Sequence, residues 1–403
     1  MINSNKIIYL DHAATTPVDP RVLRAMQSYW SKEFANPSAL YKSGVKAAEA
    51  VSTARSDIAA VLNCNPREII FTAGGTESNN MAILGTARAY QKQHSKPGHI
   101  ITSPIEHHSV LHVMDALKQW GWKISYAKVN REGFVDVSEL KKLARKDTAL
   151  ISVMYANNEI GTIEPISEIG KWLSGLNKAR LQKGYPRILF HTDACQAAGA
   201  LELDVNKLKV DMLTLNGSKI YGPKQIGVLY LRQGVEIDPI IHGGGQERDL
   251  RSGTENVPAI VGLATALKLV QHSREKESKR LLQLQKHFID RLLKKVKGSS
   301  LNGPTPGPLR LPNNINISFD KIEGESLMIY LDAKGIEVAT GSACTASSVD
   351  PSHVLTAIGL SEQQSYNSIR ITMGDGTTKA DLDFVLGELH TTVNQLSSVT
   401  NQK

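Results

Sequence analysis

From about residue 20 to 262 the chain alternates short, almost unbroken apolar runs with longer stretches of helical spacing. Seven runs read as strands: Glu68 to Thr72, His99 to Ser103, Lys123 to Val129, Ala149 to Tyr155, Arg187 to Asp193, Asp211 to Leu215 and Gly227 to Leu231. Several are continuously apolar rather than alternating, which marks strands buried on both faces. A mainly parallel sheet with helices on either side follows. Helical spacing then runs from about Val257 to Lys297 and gives way to the loop Gly303-Pro304-Thr305-Pro306-Gly307-Pro308. Beyond it, an alternating strand at Asn314 to Phe319, a helix near Glu325 to Ala333, a strand near Ser368 to Thr372 and a closing helix near Lys379 to Leu396 make a smaller α+β unit. At 403 residues two domains are expected: a large one over 18–262, and a small one formed by 1–17 with 263–403.

With 41% hydrophobic and 21% charged residues the chain reads as globular rather than disordered. No apolar run reaches membrane-span length, and Met1 to Asn5 is polar where a signal peptide needs an apolar stretch, so a cytoplasmic protein is expected. Cysteines at only 64, 195 and 344 form neither a disulfide framework nor a zinc pattern. The net charge of +8 is spread along apparent amphipathic helices rather than gathered in one patch, which speaks against nucleic acid and for anionic small molecules or acidic proteins.

Two segments carry the first chemistry. His191-Thr192-Asp193-Ala194-Cys195-Gln196 and Asn216-Gly217-Ser218-Lys219-Ile220-Tyr221-Gly222-Pro223 each follow a strand. Neighbouring parallel strands would deliver Asp193 and Lys219 to one pocket at their carboxyl ends. Pyridoxal phosphate needs that pair, a lysine for its Schiff base and a carboxylate against its pyridine nitrogen; a solvated surface lysine and a turn aspartate are the alternative.

Phe71-Thr72-Ala73-Gly74-Gly75-Thr76 ends a strand and opens a helix, an arrangement that suits phosphate and equally an ordinary glycine turn. Ser103-Pro104-Ile105-Glu106-His107 should bring an imidazole to the same rim. Tyr155-Ala156-Asn157-Asn158 closes another strand with two amides, where Asn158 could reach a cofactor's phenolic oxygen or a substrate carboxylate, or simply build a turn. His242 to Arg248, continuing to Arg251-Ser252-Gly253-Thr254, is a glycine-rich charged loop with no evident packing purpose. Cys344, in the small-residue run Gly341 to Ser348 of a cysteine loop over about 341–350, is the candidate reactive thiol, whereas Cys64 and Cys195 read as structural. Arg370, inside a strand, requires a partner: a substrate carboxylate or an internal salt bridge.

The order of these motifs resembles the cysteine desulfurases of the NifS/IscS type, which are pyridoxal-phosphate enzymes of fold type I. The likeness begins at Tyr9-Leu10-Asp11-His12-Ala13-Ala14-Thr15-Thr16-Pro17 and Asn36-Pro37-Ser38 and ends near Thr378. It implies an α/β fold of the class-V aminotransferase kind and a homodimer. It further implies Lys219 as the cofactor's Schiff-base lysine, Asp193 on the pyridine nitrogen and His107 stacked on the ring as acid and base. Gly75, Thr76 and Ser218 would hold the phosphate with Thr254 of the second subunit, Gln196 and Asn158 would meet the phenolic oxygen region, and Arg370 would bind the carboxylate of L-cysteine. Cys344, in a Gly-Ser-Ala-Cys-Thr setting like that of the group I enzymes, would take the sulfur as a persulfide, releasing alanine and passing sulfur to an acceptor protein. Iron-sulfur clusters, tRNA thiolation or another thio-cofactor would use it. The chain departs from the usual pattern at Asn216, Ser218, Gln225, Tyr155 and Asp375, and a C-terminal extension used to hold a scaffold protein is not evident. Selenocysteine lyase or another enzyme of fold type I, and a non-catalytic protein of the same fold, are the alternatives.

Overall fold

The computed structural model describes residues 7–320, 322–340 and 350–400, with side chains as far as Leu396. Cys344 and its run Gly341 to Ser348 lie outside them. The strands in chain order are β1 (Ile8–Tyr9), β2 (Ile69–Thr72), β3 (His99–Thr102), β4 (Lys123–Tyr126), β5 (Thr148–Ser152), β6 (Leu189–Asp193), β7 (Met212–Asn216), β8 (Gly227–Leu231), β9 (Ser299–Leu301), β10 (Asn314–Phe319), β11 (Ile336–Glu337) and β12 (Ser368–Thr372). Strands β2 to β8 form one seven-stranded sheet in the order β2-β8-β7-β6-β5-β3-β4. The pairs β4–β3, β3–β5, β5–β6 and β6–β7 are parallel. Strand β8 is antiparallel to both β7 and β2, because the connection 217–226 is too short for the crossover that a parallel partner requires.

The continuous apolar pattern has a simple cause. Successive residues of one strand enter different cores: Ile69 and Phe71 pack on one face of the sheet and Ile70 on the other, and Val228 and Tyr230 oppose Leu229 and Leu231 in the same way. One face is covered by the helices Lys42–Leu62 and Val257–Lys295, the other by Gly75–His94 and His108–Gln119. The apolar runs outlast the strands at three places, since Ser103, Ala127 to Val129 and Val153 to Tyr155 lie past the ends of β3, β4 and β5. The last of these overhangs brings Met154 to the wall of the site cavity.

A second sheet has β10 at its centre between β12 and β9, all antiparallel, beside the parallel pair β1–β11. Its core gathers Phe288, Leu292, Ile315, Ile317, Ile369, Ile371 and Leu382. Strand β10 alternates in sequence yet is buried throughout, because its polar face is also covered: the Asn302 amide donates to Asn316 Oδ1 at 2.8 Å and to Ser318 Oγ at 2.7 Å. The helix Val257–Lys295 runs unbroken through position 262, with Val257 to Leu267 in the large core and Leu281 to Leu292 in the second. Among the described residues no helix is long and apolar enough to cross a membrane.

Candidate active site

Asp193 is the last residue of β6, and Lys219 follows the end of the neighbouring β7. Parallel strands end on the same edge, so both side chains line one cavity of about 180 Å³. Ala13, Gly75, Thr76, His107, Asn158, Cys195, Gln196 and Arg370 complete most of its wall. The sequence reading names all of these but Ala13 and Cys195 as site residues; Asn79, Ser109, Met154, Ala156 and Asn216, which also line the cavity, are not among its site residues.

Asp193 is buried, and both its oxygens are held: Cys195 N–H donates to Oδ1 at 2.9 Å and the Asn79 amide to Oδ2 at 2.7 Å. The Asn79 amide also donates to Ser109 Oγ at 2.8 Å, and that hydroxyl meets His107 Nδ1 at 2.8 Å. Ser109 N–H donates to the same Nδ1 at 3.1 Å, where His107 caps the helix His108–Gln119. A lone pair engaged at Nδ1 puts the proton of the neutral ring on Nε2. Burial holds His107 below the usual histidine range, against a smaller upward pull from Asp193, so the neutral ring prevails at pH 7.

Lys219 Nζ donates to Ala14 O at 2.5 Å. Gln196 Nε2 donates to Ala13 O at 2.9 Å, which ties the segment after β1 over the same edge. Arg370, in β12, is buried at 1% exposure. The internal salt bridge is present, since its guanidinium donates to Asp11 Oδ1 at 2.7 Å, and Arg370 also lines the cavity. A weaker contact reaches Asn158 O at 3.4 Å, and the buried Nε has no partner among the described residues.

A second, more open cavity of about 650 Å³ adjoins the first across Gly75 and Thr76. Gly74, Gly75 and Thr76 form one side of it, at the start of the helix Gly75–His94, and Asn216, Ser218, Lys224 and Gln225 the other. Gly75 admits no side chain: a Cβ there would stand 2.8 Å from Cys195 Sγ. Ser218 Oγ donates to Asn216 Oδ1 at 3.2 Å. Thr254 does not line either cavity.

Residues 8–385 match the family described as Aminotransferase class-V. The chain belongs to this family. It is 47% identical over 396 residues to the cysteine desulfurase IscS of Dictyoglomus turgidum, covering 98% of this chain and 97% of that one. The corresponding protein of Methanosarcina thermophila is 47% identical over 397 residues, 98% and 94% of the two chains. Among solved structures, a NifS-like protein superposes with a TM-score of 0.87 at 35% identity over 96% of this chain and all of its own. A structure described as SspA in complex with cysteine gives 0.77 at 37% identity, over 91% and 98%.

The cofactor of this class-V family is pyridoxal phosphate, and the residues present fit it. A buried carboxylate and an amine share one cavity, a glycine cradle has no room for a Cβ, and an orphaned guanidinium nitrogen awaits an anion. Three features were not read from the sequence. Asn79 and Ser109, on separate helices, connect His107 with Asp193. Asp11 pairs with Arg370. Glu106, beside His107, is buried with Oε1 accepting from Ser103 Oγ at 2.6 Å and Met154 N–H at 2.9 Å, and burial pushes its carboxyl up to about 8. A polar Asn79 one turn into an apolar helix face was the only available signal.

Two sequence readings change. The loop from His242 has a packing purpose after all: Glu247 is buried in it, receives Phe71 N–H at 2.9 Å and pairs with Arg55 at 2.5 Å, while Arg251 donates to Glu77 at 2.8 Å. It fastens the turn between β2 and the helix Gly75–His94 from outside. Cys195, read as structural, is a wall of the cavity; burial raises its thiol well above the ordinary range, which keeps it protonated and unreactive.

Proposed function

We propose that the chain is a pyridoxal-phosphate-dependent L-cysteine desulfurase that moves sulfur from L-cysteine to Cys344 as a persulfide and releases L-alanine. The convergence of Asp193, Lys219, His107 and Arg370 on one cavity supports this reading most directly. Bound there, the cofactor supplies an electron sink for the deprotonated α-carbon, and Asp193, fixed by two donors, keeps its ring nitrogen protonated.

The chain's own groups do the rest. Lys219 is the covalent anchor and, once free, the amine that carries the α-proton. His107, neutral at pH 7, lines the cavity with its proton on Nε2 and serves there as a proton donor. Arg370, already oriented by Asp11, takes the substrate carboxylate through its unpartnered edge. Gly75, Thr76 and Ser218 serve the phosphate end, Asn158 and Gln196 the phenolic side. The Cβ–S bond of L-cysteine breaks as an S–S bond forms at Cys344; the sulfur leaves as persulfide, and the protons balance in the methyl group of alanine.

The domain division at 262, a homodimer in which Thr254 reaches the partner's phosphate site, a cytoplasmic setting and an acceptor protein for the sulfur belong to the same proposal. Cys344→Ser tests it. The variant should bind pyridoxal phosphate as the parent does, yet form neither alanine nor protein persulfide from L-cysteine, while Cys64→Ser keeps both. Alanine formation by Cys344→Ser at the parent rate would exclude persulfide transfer and leave a lyase in its place.

A further inference from the structure

The connection between β7 and β8 holds a residue in a backbone conformation that its side chain opposes. Gln225 has φ of 58°, in the left-handed region where a Cβ is disfavoured and glycine is free. The turn cannot relax by shifting, because two positions on Gly227 lies so close to Gly74 that a Cβ would stand 2.6 Å from the Gly74 carbonyl carbon. Among the described residues no hydrogen bond of the Gln225 side chain compensates for this. Strain that persists without an internal reason points to function.

The surroundings say which function. Gln225 lines the open cavity beside Lys224, Asn216 and Ser218, opposite Gly75 and Thr76. On that far wall the first backbone bond of the helix runs from Ser78 N–H to Gly74 O, so helix geometry leaves the preceding amides to an outside acceptor. Asn216 Oδ1 accepts from Ser218 N–H and Ser218 Oγ, both at 3.2 Å, which leaves its Nδ2 as a donor. The acid on the wall, Glu77, is neutralised by Arg251 at 2.8 Å, and Lys224 adds a positive charge. The wall is a set of donors with a net positive bias.

Resting on the cofactor reading above, we propose that Gln225 is a phosphate-binding residue of this chain, its side-chain amide donating to the phosphate monoester of pyridoxal phosphate. The unfavourable φ is retained because a glycine at 225 carries no donor to that anion.

The test is titration of the full-length apoprotein with pyridoxal phosphate and, separately, with pyridoxal, which lacks the phosphate. Gln225→Gly should weaken pyridoxal phosphate roughly tenfold or more, the cost of one hydrogen bond to a charged group. Pyridoxal affinity should not change, and the thermal midpoint of the apoprotein should stay level or rise as the strain is released. Gln225→Glu keeps the size and places a negative charge toward the phosphate, so its loss should be larger. Equal affinity for pyridoxal phosphate in parent and Gln225→Gly, or parallel losses for both ligands, would overturn the assignment. A parent protein that binds neither ligand would instead remove the cofactor reading itself.

Discussion

Asn79 donates to Asp193 Oδ2 at 2.7 Å from one turn inside the helix that begins at Gly75. The same helix therefore carries Gly75 and Thr76, proposed for the phosphate, at its first residues and the partner of Asp193 a turn later. Any shift of that helix moves both ends of a bound cofactor together.

Asn79→Ala should accordingly weaken pyridoxal phosphate binding roughly tenfold or more, since a hydrogen bond to a buried carboxylate is worth about 1.5–3 kcal/mol. Titration of the apoprotein measures it. Unaltered affinity would mean that Cys195 N–H alone fixes Asp193.

Arg370→Lys separates substrate binding from chemistry. The guanidinium reaches Asp11 with one nitrogen and keeps another edge for a carboxylate, a geometry that a single ammonium cannot reproduce. KM for L-cysteine should rise about tenfold or more with kcat little changed, read from steady-state alanine formation. A fall in kcat at constant KM would place Arg370 in the chemical step instead.

The buried carboxyls make stability depend on pH with a definite sign. Burial raises Glu106 to about 8, so the folded chain holds a proton that the unfolded chain has released from about 4.5 upward. The contribution of Glu106 to stability is complete below about 4.5 and is lost as pH climbs toward about 8. Glu106→Gln has nothing to titrate, so its thermal midpoint relative to the parent should climb across that window. A difference independent of pH would show that Glu106 titrates alike in the folded and unfolded chain.

The sequence by itself determined the alternation of strands and helices, the two-sided burial of the large sheet and the meeting of Asp193 and Lys219 at one cavity. Each is a local property: apolar runs without alternation mean two covered faces, and a polar residue just past such a run sits at a strand's carboxyl end. The strand order and the closeness of Asp11 to Arg370, 359 positions away, depend on contacts between residues distant in the chain, on which local pattern is silent. The chain of contacts from His107 through Ser109 and Asn79 to Asp193 arises only because two helices pack on one face of the sheet. Tertiary structure also decided the meaning of Gln225 and Glu247. In sequence both are polar loop residues; folded, one is held at positive φ facing a cavity and the other is buried against Arg55, because the tight contact of Gly227 with Gly74 and the ion pair across the sheet edge leave neither backbone free to choose.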